Sequence, residues 1–192
     1  MTNPSRDKFG IILIGSSLGG LAVIEKLLKF IRREKFSVIV AQHMPEGYTG
    51  MWGERLDKIT PFDVSEGRDG DALEPGHAYV APGNRHILLD NREPFSLVIN
   101  SDPPVKRFRP SIDVLFNSAL NHSPDRFAVI ILSGMCDDGV DSIVELKKKG
   151  FLTIAQDGPS SAVFGMNKEA IGRGGIELVL SPDEMVEYFN RM

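Results

Sequence analysis

The chain alternates short, almost wholly apolar runs with stretches in which apolar residues recur at helical spacing. The clearest apolar runs are residues 9–14 (FGIILI), 36–41 (FSVIVA) and 127–132 (FAVIIL). A run that stays apolar on both of its faces is typical of a strand buried in a parallel sheet, and the helical stretches between such runs would cover that sheet. The pattern therefore predicts an α/β fold: a mostly parallel, doubly wound sheet in a three-layer αβα arrangement.

The same periodicity, together with turn residues and helix-end signals, predicts the remaining elements. We predict helices at residues 21–31, 49–58, 110–120 and 141–149, and a last helix that begins at the capping box of residues 181–184. Two further strands are predicted at residues 152–155 and 176–180. Three short apolar runs are separated by Pro-containing turns and predict a small antiparallel β-meander that extends the sheet: residues 76–81, 86–90 and 95–100.

Length and composition limit the classes of protein that fit. A chain of 192 residues is long enough for one domain with a sizeable core, so we expect residues 1–8 to be a flexible lead-in and residues 9–192 to form a single domain. The net charge of −4 argues against nucleic-acid binding, and no apolar run approaches the roughly 20 residues that cross a bilayer. The lone cysteine, Cys136, excludes an internal disulfide, and the first residues lack the apolar core of a signal peptide. We therefore expect a cytoplasmic protein without membrane insertion.

The first predicted strand ends in a turn rich in glycine and serine, GSSLGG, at residues 15–20. A dinucleotide-binding fingerprint needs glycine where Ser17 stands, and a phosphate-binding P-loop needs a Gly-Lys-Ser/Thr sequence that this turn lacks. The turn instead matches the G-x-S-x-G nucleophile elbow, which leaves its middle side chain free between a strand and a helix. Ser17 is then a candidate nucleophile and Ser16 a structural residue. The alternative is a glycine turn whose serine caps the following helix.

Two other strand ends carry the partners that a serine nucleophile needs. His43 follows the second strand, whereas the other histidines lie in the predicted meander or in a polar turn. Asp137 and Asp138 follow the third strand, and either could orient the imidazole or cap the next helix. Because the carboxyl ends of parallel strands meet at one edge of a sheet, we expect a Ser-His-Asp triad there. The order Ser, His, Asp differs from the Ser, Asp, His order of α/β-hydrolases, so a separate fold is predicted.

Longer motifs, spread in order from residue 11 to about residue 175, make the chain recognisable. They are GSSLGG at residues 15–20, AQHMP at 41–45, PGHAYVAPG at 75–83, RPSIDVLF at 109–116, GMCDDG at 134–139 and VFGM at 163–166. Together they resemble the catalytic domain of the chemotaxis protein-glutamate methylesterase (CheB) family. The resemblance implies hydrolysis of γ-glutamyl methyl esters on chemoreceptor signalling helices, and often deamidation of receptor glutamines.

Carried over by motif, the family's nucleophile falls on Ser17, its base on His43 and its aspartate on Asp138. The resemblance thus favours Asp138 over its neighbour Asp137, a choice that spacing alone leaves open. Small residues are frequent in the family where this chain has Cys136, so we expect a narrower floor of the site. The scattered histidines and the lone cysteine show no ligand spacing, and we expect neither a metal nor a cofactor.

Three more residues are assigned to the site alongside the triad. Backbone N–H groups of Leu18 and Met135 would bind the oxyanion, and the resemblance marks Arg109 as a residue that lines the site. The family usually has threonine where this chain has Leu18, so one hydroxyl is lost. We interpret the neighbouring basic residues Lys106 and Arg107 as part of a solvated loop before a helix.

The resemblance also implies partners. The expected substrate is the cytoplasmic helices of methylated chemoreceptors. Full-length members carry an N-terminal receiver domain, which we expect to be absent here, so a receiver or another regulator could act from a separate chain. The alternative within enzymes is a serine esterase or amidase of the same fold with a non-receptor substrate. A non-catalytic binding module and a nucleotide-binding domain are the alternatives of other classes.

Overall fold

The structure, a computed structural model, describes residues 10–192. The predicted lead-in, residues 1–8, lies outside the described residues, as does residue 9. The strands are β1 (Gly10–Ser16), β2 (Phe36–Gln42), β3 (Asp63–Glu66), β4 (His77–Val80), β5 (His86–Leu89), β6 (Leu97–Asn100), β7 (Phe127–Ile131), β8 (Leu152–Gln156) and β9 (Leu178–Leu180). The helices are α1 (Leu21–Phe30), α2 (Tyr48–Ile59), α3 (Ile112–Ser118), α4 (Val140–Lys148), α5 (Met166–Gly172) and α6 (Pro182–Arg191).

Within residues 10–192, seven strands form one sheet in the order β3-β4-β2-β1-β7-β8-β9, and each neighbouring pair is parallel. In the same part of the chain, β5 and β6 pair antiparallel as a separate two-stranded sheet. Helices flank the large sheet. The predicted α/β class, with a mostly parallel sheet and a small antiparallel addition, is therefore confirmed.

The predicted β-meander is wrong in one of its three strands. Residues 76–81 contain β4, which pairs parallel with β2 on one side and with β3 on the other. Residues 78–80 are buried, as expected for a strand covered on both faces, so the run belongs to the class of apolar runs that predicted the large sheet. The strand β3 was not predicted, because in this edge strand only Val64 is buried.

The core lies on both faces of the large sheet. Along β1, Ile11 and Leu13 face one core cluster and Ile12 and Ile14 face the other, because successive side chains of a strand point to opposite sides. Buried residues of α3, α4 and α5 belong to the first cluster, and those of α1, α2 and α6 belong to the second. The sheet with one group of helices on each face forms the three layers of the predicted αβα arrangement.

Helix ends follow local chemistry. The capping box at the start of α6 is present: the Ser181 hydroxyl accepts from the Glu184 backbone N–H, and the Glu184 carboxylate accepts from the Ser181 N–H. The helix predicted at residues 110–120 begins later than expected, because Ser111 is the N-cap residue of α3, and it continues past α3 as a 3-10 turn at Ala119–Asn121. In the described residues, no helix is long and apolar enough to span a bilayer.

The topology defines where a site can form. Strand β1 lies between β2 and β7, and the chain builds the sheet outward from it in both directions. The three strands end almost level, since Ser16 pairs with Gln42 and Gly15 pairs with Ile131. The loops that follow them therefore meet at the carboxyl edge of the sheet, at the switch point where open α/β sheets bind ligands.

Candidate active site

The turn after β1 presents Ser17 at this edge. The Ser17 backbone N–H donates to the carbonyl of Ser133 at 3.1 Å, which fixes the turn to the loop after β7. Gly19 has a φ of +89°, and a Cβ there would lie 2.5 Å from the Cβ of Ala162, so the turn needs glycine. The N-cap position of α1 is Gly20. The alternative in which a serine caps this helix is therefore wrong.

Ser16 has the structural position that the sequence predicts. Its side chain is fully buried, and a Cβ placed on Gly20 would lie only 1.7 Å from the Ser16 Oγ. Ser16 therefore fills the space under the first turn of α1, while Ser17 is half-buried and faces the site.

The structure brings Ser17, His43 and Asp138 into one hydrogen-bonded row. The His43 Nδ1 lies 3.2 Å from the Ser17 Oγ, and the His43 Nε2 lies 2.8 Å from the Asp138 Oδ2. The side chains of His43 and Asp138 are 8% and 0% exposed. Because an ionised carboxylate only accepts, Nε2 carries the ring proton and Nδ1 accepts from the Ser17 hydroxyl. In serine proteases of the chymotrypsin type, Nε2 faces the serine and Nδ1 faces the aspartate, so the two ring nitrogens have exchanged roles here.

Asp138 is held by the start of α3 as well as by the histidine. Its carboxylate accepts from the Ser111 hydroxyl at 2.8 Å and from the backbone N–H groups of Ile112 at 2.7 Å and Asp113 at 3.0 Å. Burial raises the pKa of Asp138, but the hydrogen bonds from His43, from these backbone groups and from Ser111 outweigh it and hold the pKa below its ordinary value. The group is therefore ionised and aimed at the imidazole. The exposed Asp137 has no such contact with His43.

Two backbone N–H groups beside Ser17 remain available. Within residues 10–192, the N–H groups of Leu18 and Met135 have no hydrogen-bond partner, and their side chains are exposed. The Leu18 N–H shares its peptide group with the Ser17 carbonyl, which accepts from the Gln42 side-chain amide at 3.0 Å, so this peptide is oriented. A Cβ on Gly134 would lie 2.9 Å from the Ser17 Cβ, and glycine is thus what lets the loop with Met135 approach the serine.

The segment at residues 163–166 supports this loop. The carbonyl of Gly134 accepts from the N–H groups of Gly165 at 3.2 Å and Met166 at 3.0 Å, and the Gly134 N–H donates to the carbonyl of Val163 at 3.1 Å. The motif VFGM therefore fastens the chain after β7 to the start of α5.

Two residues that the sequence reasoning did not assign contribute to the row. Gln42 is buried, and its side-chain amide donates to the carbonyls of Ser17 at 3.0 Å and His43 at 3.1 Å. The sequence did offer a signal for Gln42, because it is a polar residue at the end of a predicted strand that is otherwise apolar. Ser111 holds Asp138 and caps α3; its place in the motif RPSIDVLF, just before a helix, could have indicated both roles.

The guanidinium of Arg109 binds both its own loop and the turn after β4. It donates to the Asn84 Oδ1 at 2.6 and 3.1 Å and to the carbonyls of Ser101 at 2.8 Å and Asp102 at 3.1 Å. These bonds tie residues 101–109 to the turn after β4. Contact between Arg109 and a substrate stays a prediction.

The solvated loop predicted for Lys106 and Arg107 is correct for Arg107 only. Arg107 is exposed, whereas the Lys106 Nζ lies 2.9 Å from Asp113, 3.5 Å from Asp137 and 2.6 Å from Asp141. A pattern of basic residues could not reveal these partners, because they come from α3, α4 and the loop before α4.

Cys136 lies beside the row. Its Sγ is 4.0 Å from the His43 Nδ1, the nitrogen that faces Ser17. Burial, with the nearby Asp138 and Asp137, raises the pKa of the thiol, so it is neutral at pH 7. In the described residues, no group of three or more His, Cys, Asp or Glu side chains is arranged to hold a metal ion.

A doubly wound α/β domain that aligns a serine, a histidine and a buried aspartate at the carboxyl edge of its sheet has the arrangement typical of a serine hydrolase. The sequence matches the family profile described as CheB methylesterase over residues 12–189. The chain belongs to this family.

Relatives and a solved structure agree with the assignment. A protein-glutamate methylesterase/protein-glutamine glutaminase 1 of Geobacter metallireducens is 44% identical over 91% of this chain and 48% of the relative. A protein of the same name from Anaeromyxobacter dehalogenans is 42% identical over 92% of this chain and 51% of the relative. The chain thus spans about half the length of these curated relatives. The crystal structure of the Thermotoga maritima CheB methylesterase catalytic domain superposes with a TM-score of 0.90 at 29% identity, covering 95% of this chain and 98% of that one.

Proposed function

We propose that this chain is a protein-glutamate methylesterase, a serine hydrolase that removes methyl esters from glutamate side chains of chemoreceptors in chemotaxis adaptation. The observation that carries the proposal is the row in which the His43 ring joins Ser17 at 3.2 Å to Asp138 at 2.8 Å. The names of the relatives supply the substrate class, because a triad by itself does not select one ester.

In the first stage, the Ser17 Oγ attacks the ester carbonyl while its proton passes to the His43 Nδ1. Asp138 holds the ring by its Nε2–H and stabilises the imidazolium that forms. The N–H groups of Leu18 and Met135 bind the negative oxygen of the tetrahedral intermediate, a contribution typically worth about 3 to 4 kcal/mol. When the intermediate collapses, the proton on Nδ1 moves to the methoxy oxygen and methanol leaves.

In the second stage, water attacks the acyl group on Ser17 and gives a proton to His43. Collapse of the second intermediate returns that proton to the Ser17 oxygen and releases the glutamate side chain. A receptor glutamine would follow the same two stages with ammonia as the leaving group, in keeping with the glutaminase part of the relatives' names. Neither sequence of steps needs a metal or a cofactor.

The proposed substrate is the cytoplasmic helices of methylated chemoreceptors, and the proposed location is the cytoplasm. The predicted regulator is a receiver domain, which would act from another chain if this chain lacks one. Arg109 enters the proposal as the support of the loop next to the site, with substrate contact as its further predicted role.

Purified methylated receptor is the decisive substrate. We expect the chain to release methanol from it and the Ser17→Ala variant to release none above background. If the chain hydrolyses small esters through Ser17 but leaves the methylated receptor intact, the alternative of an esterase or amidase with a non-receptor substrate is correct. If Ser17→Ala keeps full activity, the serine mechanism is wrong.

A further inference from the structure

A tight turn at residues 105–108 lies over the candidate active site. Val105 and Phe108 exchange two backbone hydrogen bonds, of 3.1 and 2.8 Å, around the two residues between them. Those residues, Lys106 and Arg107, have φ values of +48° and +74°, a conformation that side chains other than glycine seldom adopt. Such backbone persists only where surrounding contacts impose it, and it is concentrated at functional sites.

The turn places Phe108 directly on the His43 imidazole. The two rings are stacked with their centroids 3.8 Å apart and an angle of 2° between their planes. One face of the imidazole is therefore covered by an aromatic ring, while its two nitrogens face Ser17 and Asp138 at the ring edge. A ring covered in this way cannot tilt toward that side, and water cannot approach the covered face.

Lys106 supplies the contacts that impose the turn. Its ammonium group lies between Asp113 of α3 and Asp141 of α4, and it also donates to the carbonyl of Asp137 at 2.9 Å. Burial opposes the charge on Lys106, but hydrogen bonds to Asp141 and Asp113 outweigh it and raise the pKa of the ammonium group above its ordinary value. The lysine is therefore charged at any pH at which the site works, and it ties the turn to the two helices next to Asp138.

We propose that Phe108 is a positioning residue for His43 and that Lys106 acts through it by anchoring the 105–108 turn. The proposal rests on the function proposed above, since it assigns the stack a role in the reaction of Ser17. Phe108 keeps the imidazole in the plane in which Nδ1 accepts from the serine and Nε2 donates to the aspartate. When the ring becomes charged during the reaction, the face of Phe108 also attracts the imidazolium.

The test compares Phe108→Ala, which removes the aromatic ring, with Phe108→Trp, which retains an aromatic face over His43. We expect Phe108→Ala to lower kcat on the order of 10- to 100-fold with less than about a threefold change in KM, because displacement of a reacting group acts on the chemical step. Phe108→Trp should keep most of the kcat of the parent protein. Phe30→Ala removes an exposed phenylalanine at the end of α1, away from the site, and is the matched control; we expect it to leave kcat unchanged.

Lys106→Met tests the anchor. It should lower kcat less than Phe108→Ala does, and it should cause no further loss in the double variant, because both changes remove the same support. Independent losses that multiply in the double variant would overturn the role of Lys106. If Phe108→Ala does not fold, Phe108→Leu and Lys106→Met replace it. Each should lower kcat relative to Phe108→Trp.

A second readout separates this proposal from the proposed function. The proton on the His43 Nε2, hydrogen-bonded to Asp138, should give a downfield NMR signal that broadens or disappears in Phe108→Ala and returns in Phe108→Trp. This signal needs no substrate, so it reports on the stack even if the receptor is not hydrolysed. An unchanged signal, or a kcat within twofold of the parent, would overturn the positioning role.

Discussion

The side-chain amide of Gln42 donates a 3.0 Å hydrogen bond to the main-chain carbonyl of Ser17. The same nitrogen reaches the carbonyl of His43 at 3.1 Å. One buried amide therefore joins the backbone of the two loops whose side chains meet in the site, and it sets their separation at the level of the main chain.

Replacement of Gln42 by leucine should separate these loops. Leucine keeps much of the volume but removes the side-chain donor to both carbonyls, and the Ser17 carbonyl then keeps only the longer 3.4 Å bond from the Gly20 N–H. A carbonyl left unsatisfied costs about 1 to 3 kcal/mol when it is buried. We expect a lower melting temperature and a kcat reduced on the order of 10-fold or more. Calorimetry and steady-state kinetics measure the two effects. A variant with unchanged kcat would show that this bridge does not set the distance between Ser17 and His43.

The adjacent serines provide a matched pair. Ser17→Ala removes the proposed nucleophile and should lower kcat on the order of 10⁴- to 10⁶-fold without unfolding the protein. Ser16→Ala removes a buried hydroxyl that has no hydrogen-bond partner among the described residues, and it should leave both kcat and stability almost unchanged. A loss below tenfold in Ser17→Ala would remove this residue from the mechanism.

Gly134→Ala tests the approach of the loop after β7 to the serine. The new Cβ would lie 2.0 Å from the Met166 Sδ and 2.9 Å from the Ser17 Cβ. The Met166 side chain is fully buried and the Ser17 Cβ is fixed to the backbone, so the loop must shift and we expect kcat to fall by about 100-fold. Gly172→Ala is the control, since a Cβ there meets nothing within 4 Å. Equal activity of the two variants would contradict the assignment of the Met135 N–H to the oxyanion.

Acid stability should depend on Asp138. Its pKa is held below the ordinary value in the folded state, so the ionised group stabilises the fold above the unfolded-state pKa of about 3.9. This contribution is lost as the pH falls through the lower, folded-state pKa. Urea titrations at a series of pH values should show a smaller acid loss in Asp138→Asn. Ser111→Ala removes one donor to the carboxylate, so its acid loss should be smaller and complete at a higher pH. Parallel stability curves for the three proteins would contradict this account.

Local patterns predicted the parts of the fold that local chemistry decides. The almost wholly apolar runs of β1, β2 and β7 and the capping box at residues 181–184 need no information from distant residues. The pairing of β4 depends on distant residues. Its four residues fit an antiparallel hairpin as well as a parallel sheet, and only its partners β2 and β3 show which of these forms. The edge strand β3 has too little apolar surface to be recognised.

In the candidate site too, the sequence predicted what local patterns decide and missed what depends on distant contacts. The rule that strand ends meet at one edge brought Ser17, His43 and an aspartate to the same place, and the structure has them in contact. It did not choose between Asp137 and Asp138, because that choice depends on the start of α3, which donates to only one of them. The contacts of Lys106 with Asp137 and Asp141 likewise join segments 31 and 35 residues apart in sequence, which no spacing rule reports.

Gly134 is held to the start of α5 by main-chain hydrogen bonds, which do not depend on the exposed side chain of its neighbour Met135. The 105–108 turn, by contrast, depends on the side chains of Lys106 and Phe108. The two segments therefore differ in how readily mutation can reshape them. Selection for a bulkier or differently charged acyl group can therefore act on the turn while the main chain around Gly134, where we propose that the oxyanion binds, is inherited unchanged.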